Sequence, residues 1–283
     1  MYDRTHQRAT LFRTDGTVED IFTLPKAVSY ISDMYRTPEN NWVALNRIFE
    51  ERGSLRYQQN GFTTITPDLD TLGAAETEML PTFYRYMMVL DLEGEMMEFP
   101  SWMVLVFAPQ PDAKYVPGSG MLLSTGKEPV LSWYHFDGTC YRRIMLDIPV
   151  RPLTEKEKNE YLARLDSSIE EQAEGRLKES LRSARKTMVF TETKGCWSSV
   201  MVDDAGYIWL QVPESREERQ EAGGGYLYRL VSPEGEYLGL TRLPEEGEIR
   251  QGCLLAIDFD PDTDEEIPTV WRLIPQVDGF KYP

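Results

Sequence analysis

The 283-residue sequence contains few of the residues that build metal centres and nucleophilic sites, with only three cysteines and two histidines. Cys140, Cys196 and Cys253 stand in separate strand-like segments without Cys-x-x-Cys spacing, so we interpret them as small core residues. His6 and His135 lack the close, ordered spacing of a zinc or iron site. No Gly-x-Ser-x-Gly motif is present, although a catalytic triad assembled from distant residues stays open. The sequence therefore predicts no catalytic residue and no metal ligand.

Positive charge is also scarce, because 47 acidic residues face 30 basic ones and give a net charge of −17. Nucleic acids and anionic membrane surfaces attract basic proteins, so we expect no nucleic-acid partner. We interpret the acidity as a source of solubility, with a cationic partner or a divalent metal as the alternative. The segment 258–266 places alternate carboxylates together but lacks the sixth-position glycine and spaced glutamate of an EF-hand. We therefore expect no cofactor, and calcium is the alternative.

Long apolar runs are absent, and the segment 102–108 has only the length of a buried strand. Crossing a bilayer requires roughly 20 consecutive apolar residues. The first six residues, Met-Tyr-Asp-Arg-Thr-His, have neither the charged region nor the apolar region of a signal peptide. The sequence therefore predicts no membrane span, and the cysteines leave the cellular compartment open.

A repeated order of elements is the main feature present: an apolar strand, an acidic residue with glycine, a second strand and a proline. The turns with their closing prolines are Asp15-Gly16 with Pro25, Glu93-Gly94 with Pro100, Asp137-Gly138 with Pro149, and Glu234-Gly235 with Pro244. Glycine in such a pair supplies the positive φ of a tight hairpin turn. Gly94 and Gly138 lie 44 residues apart, the period of one four-stranded propeller blade. The pattern predicts an all-β fold.

Three further segments are assigned within this β pattern. Asn60-Gly61 is predicted as a hairpin turn, and residues 214–225 as a charged, glycine-ended loop. The four strands of one blade are predicted at 102–107, 121–124, 130–136 and 141–148.

Residues 151–186 have a helical pattern instead. Thr154 and Glu157 have the spacing of a capping box, in which each side chain accepts a hydrogen bond from the backbone of the other. Apolar residues then recur every four positions at Tyr161, Leu165, Ile169, Ala173, Leu177 and Leu181. We predict a helical insertion between blades, interrupted near Gly175 and docked by its apolar stripe. A partner-binding arm is the alternative.

The segment 202–209, Val-Asp-Asp-Ala-Gly-Tyr-Ile-Trp, resembles the inner hairpin of NHL-type six-bladed β-propellers, where an Asp-x-x-Gly turn precedes an Ile-Trp strand. The order of the insert from Pro152, this hairpin, and the segments 232–239 and 243–244 is similar to a bacterial six-bladed propeller family of unsettled function. That family belongs to the NHL-like or TolB-like superfamily. The resemblance covers about residues 99–274. It implies one propeller domain over 1–283 with a helical insertion at 151–186, in a periplasmic, secreted or lipid-anchored protein.

The chain is short for this resemblance. Six blades of roughly 40–45 residues plus an insertion need more than 283 residues. We therefore expect about four blades and an N-terminally incomplete propeller. The alternative is that residues 49–81 hold a degenerate extra blade and the ring closes small.

Candidate binding residues follow from the way propeller strands connect. Each outer strand crosses to the inner strand of the next blade on one face, around the central channel. The crossings carry basic and aromatic residues, namely Lys26, Tyr30, Trp102, Lys194, Trp197 and Arg250. Such side chains suit an anionic or sugar-like ligand. Alternatively, Trp102 and Trp197 pack between blades, which leaves Lys194 and Arg250 as the surface candidates.

We therefore predict a non-enzymatic binding or interaction module that presents a propeller face to a ligand or protein partner. The alternative is a propeller-type hydrolase or lyase with its site at the mouth of the central channel. Carboxylates and histidines grouped at that mouth would favour the enzyme. An apolar or filled channel would favour the binding module.

Overall fold

The computed structural model describes residues 2–3, 8–13, 15–23, 31–92, 95–172, 175–186, 188–259 and 265–273. Half of the chain is strand and 15% is helix, so the fold is mostly β, as predicted. Its antiparallel sheets are arranged as the blades of a four-bladed β-propeller.

The strands follow one another in chain order. A three-stranded sheet comprises β1 (Tyr2–Asp3), β2 (Arg8–Phe12) and β3 (Val18–Thr23). The first blade comprises β4 (Ile31–Arg36), β5 (Trp42–Arg52), β6 (Leu55–Ile65) and β7 (Thr71–Glu76). A hairpin of β8 (Leu80–Leu92) and β9 (Glu95–Val104) pairs with β6. The second blade comprises β10 (Asp112–Val116), β11 (Gly120–Ser124), β12 (Val130–Tyr134) and β13 (Cys140–Met145).

Two helices precede the third blade, α1 (Glu155–Gln172) and α2 (Gly175–Lys186). The third blade comprises β14 (Val200–Val202), β15 (Ile208–Gln211), β16 (Tyr226–Val231) and β17 (Tyr237–Leu243), with the short helix α3 (Arg216–Glu221) between β15 and β16. The fourth blade comprises β18 (Gly247–Arg250), β19 (Cys253–Phe259) and β20 (Glu266–Arg272). Within the described residues, no helix is long and apolar enough to cross a membrane.

Six hairpin turns share one hydrogen-bond pattern. The first residue donates its N–H to the carbonyl of the fifth, and the fourth donates to the carbonyl of the first, in 13–17, 37–41, 66–70, 135–139, 203–207 and 232–236. The fourth position has positive φ, and it is occupied by Gly16, Asn40, Leu69, Gly138, Gly206 and Gly235. Three of the predicted acidic-glycine turns are therefore confirmed, and Glu93-Gly94 lies outside the described residues. The turn at 66–70 was missed because leucine rarely adopts this conformation.

Three sequence assignments are wrong. Asn60-Gly61 lies inside β6 rather than in a turn, because β7 approaches so closely that a Cβ at Gly61 would lie 2.5 Å from the Ala75 carbonyl oxygen. Trp102 belongs to β9, which pairs with β8, so the inner strand of the second blade is β10 instead. The loop predicted at 214–225 contains α3. A capping box at Ser215 and Glu218 starts this helix, and its Ser-x-x-Glu spacing is visible in the sequence.

Apolar layers lie between the first and second, the second and third, and the third and fourth blades. The layers contain Val43 and Phe62 with Met121 and Leu123, then Leu131 and Trp133 with Trp197 and Ile208, then Trp209 and Tyr228 with Ile249 and Leu254. Tyr35 of β4 in the first blade lies near Glu248 of the fourth blade. Burial raises the pKa of Tyr35, as do the Asp33 carboxylate that accepts its O–H at 2.7 Å and the nearby charge of Glu248 on β18.

The helical insertion predicted at 151–186 matches α1 and α2, and the residue that begins α2 is Gly175, with φ of +54°. Of the predicted stripe, Ile169 is buried and Leu165 and Leu181 are half-buried, but Leu177 is exposed, so the stripe is wrong at that position. The hydroxyl of Ser180 on α2 donates to the carbonyl of Met87 on β8 at 3.1 Å. The insertion is therefore attached to the β8–β9 hairpin as well as to the blades.

Gly138 brings the first and second blades into backbone contact. It has φ of +86°, and a Cβ there would lie 2.4 Å from the Ala74 carbonyl oxygen of β7. Gly16 has φ of +82° with nothing within 4 Å of its Cβ position, so it is a matched control. We expect Gly16→Ala to lower the free energy of unfolding by about 1 kcal/mol. Gly138→Ala is expected to cost roughly 1–3 kcal/mol more, because the clash adds to the strain. Urea denaturation measures both values, and equal losses would contradict the close approach.

Candidate functional site

A cleft of about 560 Å³ lies on the face where outer strands cross to the next inner strand. Its walls come from the segment 103–108 at and after the end of β9, from α1, from the crossing 195–198 and from the loop 211–219. Small-molecule sites are typically clefts of roughly 300–1,000 Å³. The cleft is therefore large enough to hold an organic molecule.

Two predicted residues lie at this cleft. Trp197 lines the cleft and also packs in the layer between the second and third blades. Lys194 precedes the lining residue Gly195, but only 2% of its surface is exposed. The expectation that Lys194 is a surface residue is wrong, because two carboxylates hold its ammonium group inside the protein.

The remaining predicted residues lie elsewhere. Trp102 is on β9, beneath the guanidinium of Arg56 at 4.2 Å from the ring centroid. Arg250 ends β18 and is ion-paired with Glu248 at 2.5 Å, at the opposite end of that strand from the cleft. Lys26 and Tyr30 lie outside the described residues. Of the four candidates that the structure describes, Lys194 and Trp197 lie together at the cleft and Trp102 and Arg250 do not.

Lys194 joins the first turns of two helices. Its Nζ is ion-paired with Glu157 and lies 3.9 Å from Oε2 of Glu218. Glu157 belongs to the predicted capping box of α1, where its carboxylate accepts the N–H of Thr154 at 3.0 Å. Glu218 has the same role in α3, where it accepts the N–H of Ser215 at 2.7 Å. One buried cation thus contacts the capping glutamates of both helices that border the cleft.

The charges of this cluster are balanced by a second cation. Arg151 Nη2 lies 2.6 Å from Oε1 of Glu218. Burial opposes the ionisation of Glu157, but hydrogen bonds from Lys194 and Thr154 outweigh it, so the pKa of Glu157 lies below its usual value. The pKa of Glu218 is also lowered, because backbone and Arg151 hydrogen bonds exceed the effect of burial. Both glutamates are therefore charged at neutral pH.

Phe107 has a strained backbone at the cleft wall. Its φ is +61°, which is an outlier for a bulky residue. Its carbonyl accepts the N–H of Gly195 at 3.1 Å, and the Lys194 ammonium lies 5.6 Å from the centroid of its ring. Such strain persists only where the surroundings impose it, and it occurs preferentially at binding sites.

Three arginines line the cleft, and sequence reasoning missed all of them. The Arg164 guanidinium on α1 lies 5.7 Å from the Tyr161 ring centroid, and that of Arg219 on α3 lies 4.8 Å from the Tyr226 ring centroid. Arg216 is the third. Within the described ranges, none of the three forms an ion pair with a carboxylate. Arginine stacked on an aromatic ring keeps its N–H groups available to a ligand.

The other polar groups of the cleft bond to one another. Gln211 Nε2 donates to Glu246 at 2.5 Å, and its Oε1 accepts from the hydroxyls of Ser198 at 2.7 Å and Ser199 at 3.0 Å. An amide oxygen is not a base, so this arrangement does not activate either hydroxyl as a nucleophile.

One carboxyl group outside the cleft has a raised pKa. Asp112 lies on β10, the inner strand of the second blade, and burial raises its pKa although Lys114 lies 3.5 Å away. His135 stacks on Tyr141 at the outer hairpin of the second blade, with ring centroids 4.3 Å apart. In the part of the chain that the structure describes, no three His, Cys, Asp or Glu side chains are grouped to hold a metal. Residues 260–264 of the acidic segment lie outside that part, so calcium binding stays a prediction.

Comparison with known proteins gives no family. The chain matches no protein-family model and no curated protein. One solved structure, a protein of unknown function from Bacteroides caccae, aligns at 10% identity over 84% of this chain and 76% of that chain, with a TM-score of 0.27. A similarity at this level carries no argument about fold or function.

Glu157→Gln tests the electrostatic role of the Lys194 cluster. Because the pKa of Glu157 is lowered on folding, its stabilisation is complete above the usual value of 4.5 and is lost as the pH falls through the lowered value. We expect Glu157→Gln to lower the free energy of unfolding by about 2–3 kcal/mol at pH 7, with the difference from wild type shrinking towards pH 3. Thermal unfolding across this range measures the difference. Glu39→Gln, on an exposed turn, is the control, and a difference for Glu157→Gln that is independent of pH would contradict the ion pair.

Proposed function

We propose that this protein is a non-enzymatic binding module and that the cleft is its ligand site. The observation that carries the proposal is that three arginines in one cleft form no ion pair with any carboxylate of the described residues, in a chain with net charge −17. Carboxylates outnumber basic residues in this chain, so three unpaired guanidinium groups in one cleft are unusual. Groups kept available in this way are suited to a partner outside the chain.

The form of the cleft also supports binding. Aromatic rings of Phe107, Tyr161, Trp197 and Tyr226 line it beside the arginines. Ligand sites combine apolar walls with a small number of polar groups that orient the bound molecule. The strained Phe107 and the buried Lys194 cluster give these walls a fixed shape before a ligand arrives.

The second candidate function is a propeller-type hydrolase or lyase at the channel mouth. Asp112 favours it, since a carboxyl group with a raised pKa is suited to general acid catalysis. A second group is needed to act as base or nucleophile. Neither Lys114, its ion-pair partner, nor His135, at the outer hairpin, supplies one. We therefore prefer the binding module.

We further infer a relationship to the NHL-like or TolB-like propellers. The hydrogen bonds of Asp203, the first residue of the Asp-x-x-Gly turn, support this inference. Asp203 Oδ1 accepts the N–H groups of Ala205 and Tyr207 at 3.0 and 2.8 Å, and Oδ2 accepts Trp209 Nε1 at 2.9 Å. One aspartate therefore fixes both the turn and the following Ile-Trp strand. Propellers of that superfamily resemble this chain in the turn, although the described blades number four, and an extracytoplasmic location belongs to the same proposal.

Filling the cleft tests the site. Val104 lines the cleft with 50% of its surface exposed, so Val104→Trp narrows the cleft at small cost to folding. Met145→Trp, at a position 75% exposed on β13, is the matched control. We expect fragments found by ligand-observed NMR to bind wild type and Met145→Trp alike, and to bind Val104→Trp at least roughly ten-fold more weakly. Equal binding to Val104→Trp, or no binding to wild type, would refute the cleft as a ligand site.

A further inference from the structure

We propose that the cleft binds a small organic anion, with its carboxylate or phosphate group held by Arg164, Arg216 and Arg219 and its body against the aromatic walls. This inference rests on the proposed function, because it takes the cleft as the ligand site. It goes further by naming the chemical class of the ligand.

The described walls of the cleft carry an excess of positive charge. Its two lining carboxylates are Glu214 and Glu246. Glu214 is already neutralised by Arg242, whose Nη2 and Nη1 lie 2.6 and 3.1 Å from its two oxygens. Glu246 is the one remaining negative charge on the described walls, against three arginines. An anionic ligand completes this balance.

The carboxylates beside the cleft are ion-paired with other cations. Glu157 and Glu218 are held by Lys194 and Arg151, with the Arg151–Glu218 contact at 2.6 Å. They are therefore unavailable to neutralise the cleft arginines, even though α3 carries both Glu218 and Arg219. Lys194, Arg151, Glu157 and Glu218 therefore neutralise one another, and the cleft arginines stay available to a ligand.

The shape of the arginine side chains and of the cleft also suits an organic anion. A guanidinium group presents a planar fork of N–H donors that matches the two oxygens of a carboxylate or phosphate. The Tyr226 ring beneath Arg219 restricts its guanidinium, which reduces the entropy lost when a ligand binds. The cleft of about 560 Å³ is far larger than a bare anion and has apolar walls. These walls favour an organic body attached to the charged group.

The test uses three aromatic probes of similar size: benzoate, phenyl phosphate and the neutral isostere benzamide. Isothermal titration calorimetry on the full chain measures their affinities, with inorganic phosphate as a fourth probe. We expect both aromatic anions to bind at least roughly ten-fold more tightly than benzamide, and phenyl phosphate more tightly than inorganic phosphate.

Variants distinguish a specific site from general charge effects. Arg164→Gln and Arg219→Gln are each expected to weaken the aromatic anions by roughly ten-fold, because a charge-assisted hydrogen bond is lost. Arg143→Gln, on β13, removes the same charge outside the cleft and is expected to change nothing. Glu246→Gln is expected to strengthen anion binding about two-fold or more, because it removes a repulsion. It preserves an oxygen that accepts the hydrogen bond from Gln211.

The outcomes separate this proposal from the one on which it rests. Benzamide and benzoate binding equally to wild type, with both lost in Val104→Trp, would keep the cleft as a ligand site and overturn the anion class. Inorganic phosphate binding as tightly as phenyl phosphate would overturn the organic body. Anion binding that Val104→Trp leaves unchanged, or the absence of anion binding in the millimolar range, would overturn this proposal.

Discussion

The buried ammonium of Lys194 contacts the capping glutamates of two helices, and the walls of the cleft depend on those helices. A lysine with 2% of its surface exposed is destabilising unless opposite charges compensate for lost hydration. Here the compensating carboxylates are Glu157 and Glu218, each of which also accepts a backbone N–H at the start of its own helix. The same side chains therefore satisfy a buried cation and two helix termini. This arrangement positions Arg164 and Arg219, which are carried by α1 and α3.

The blades supply a rigid frame for this arrangement. Apolar layers between adjacent blades fix the crossing segments, and Trp197 belongs both to one such layer and to the cleft wall. Phe107 is held at positive φ beside it, with its carbonyl bonded to Gly195. Binding residues on loops keep their geometry when a packed scaffold supports them. The residues that line the cleft outside the strands are therefore held in place by the packed blades.

Local sequence signals predicted the turns and helices whose formation depends on residues close together in the sequence. The turns at Gly16, Gly138 and Gly235 were predicted because glycine tolerates positive φ, and α1 was predicted from its capping box and apolar spacing. The Ser215 capping box gives the same signal for α3 but stands within a charged segment without apolar spacing. The turn that ends at Asp70 was hidden because Leu69 occupies the strained position.

Long-range relationships could not be predicted in this way. The hairpin signal in β8 and β9 does not specify which sheet they join, and they pair with β6. Lys194 was expected at the surface because it is basic. Its burial depends on Glu157 and Glu218, which are distant in sequence, so the sequence alone did not reveal it. The cleft arginines come from two helices whose proximity only the folded chain provides.

The most direct test of the role of Lys194 is hydrogen–deuterium exchange on Lys194→Met compared with wild type. If the buried ammonium holds both helix starts, amides in the first turns of α1 and α3 will exchange faster in the variant. Amides of β11 and β12, in the second blade, will keep their rates. Unchanged exchange in the helices, or equal acceleration throughout the chain, would contradict the account.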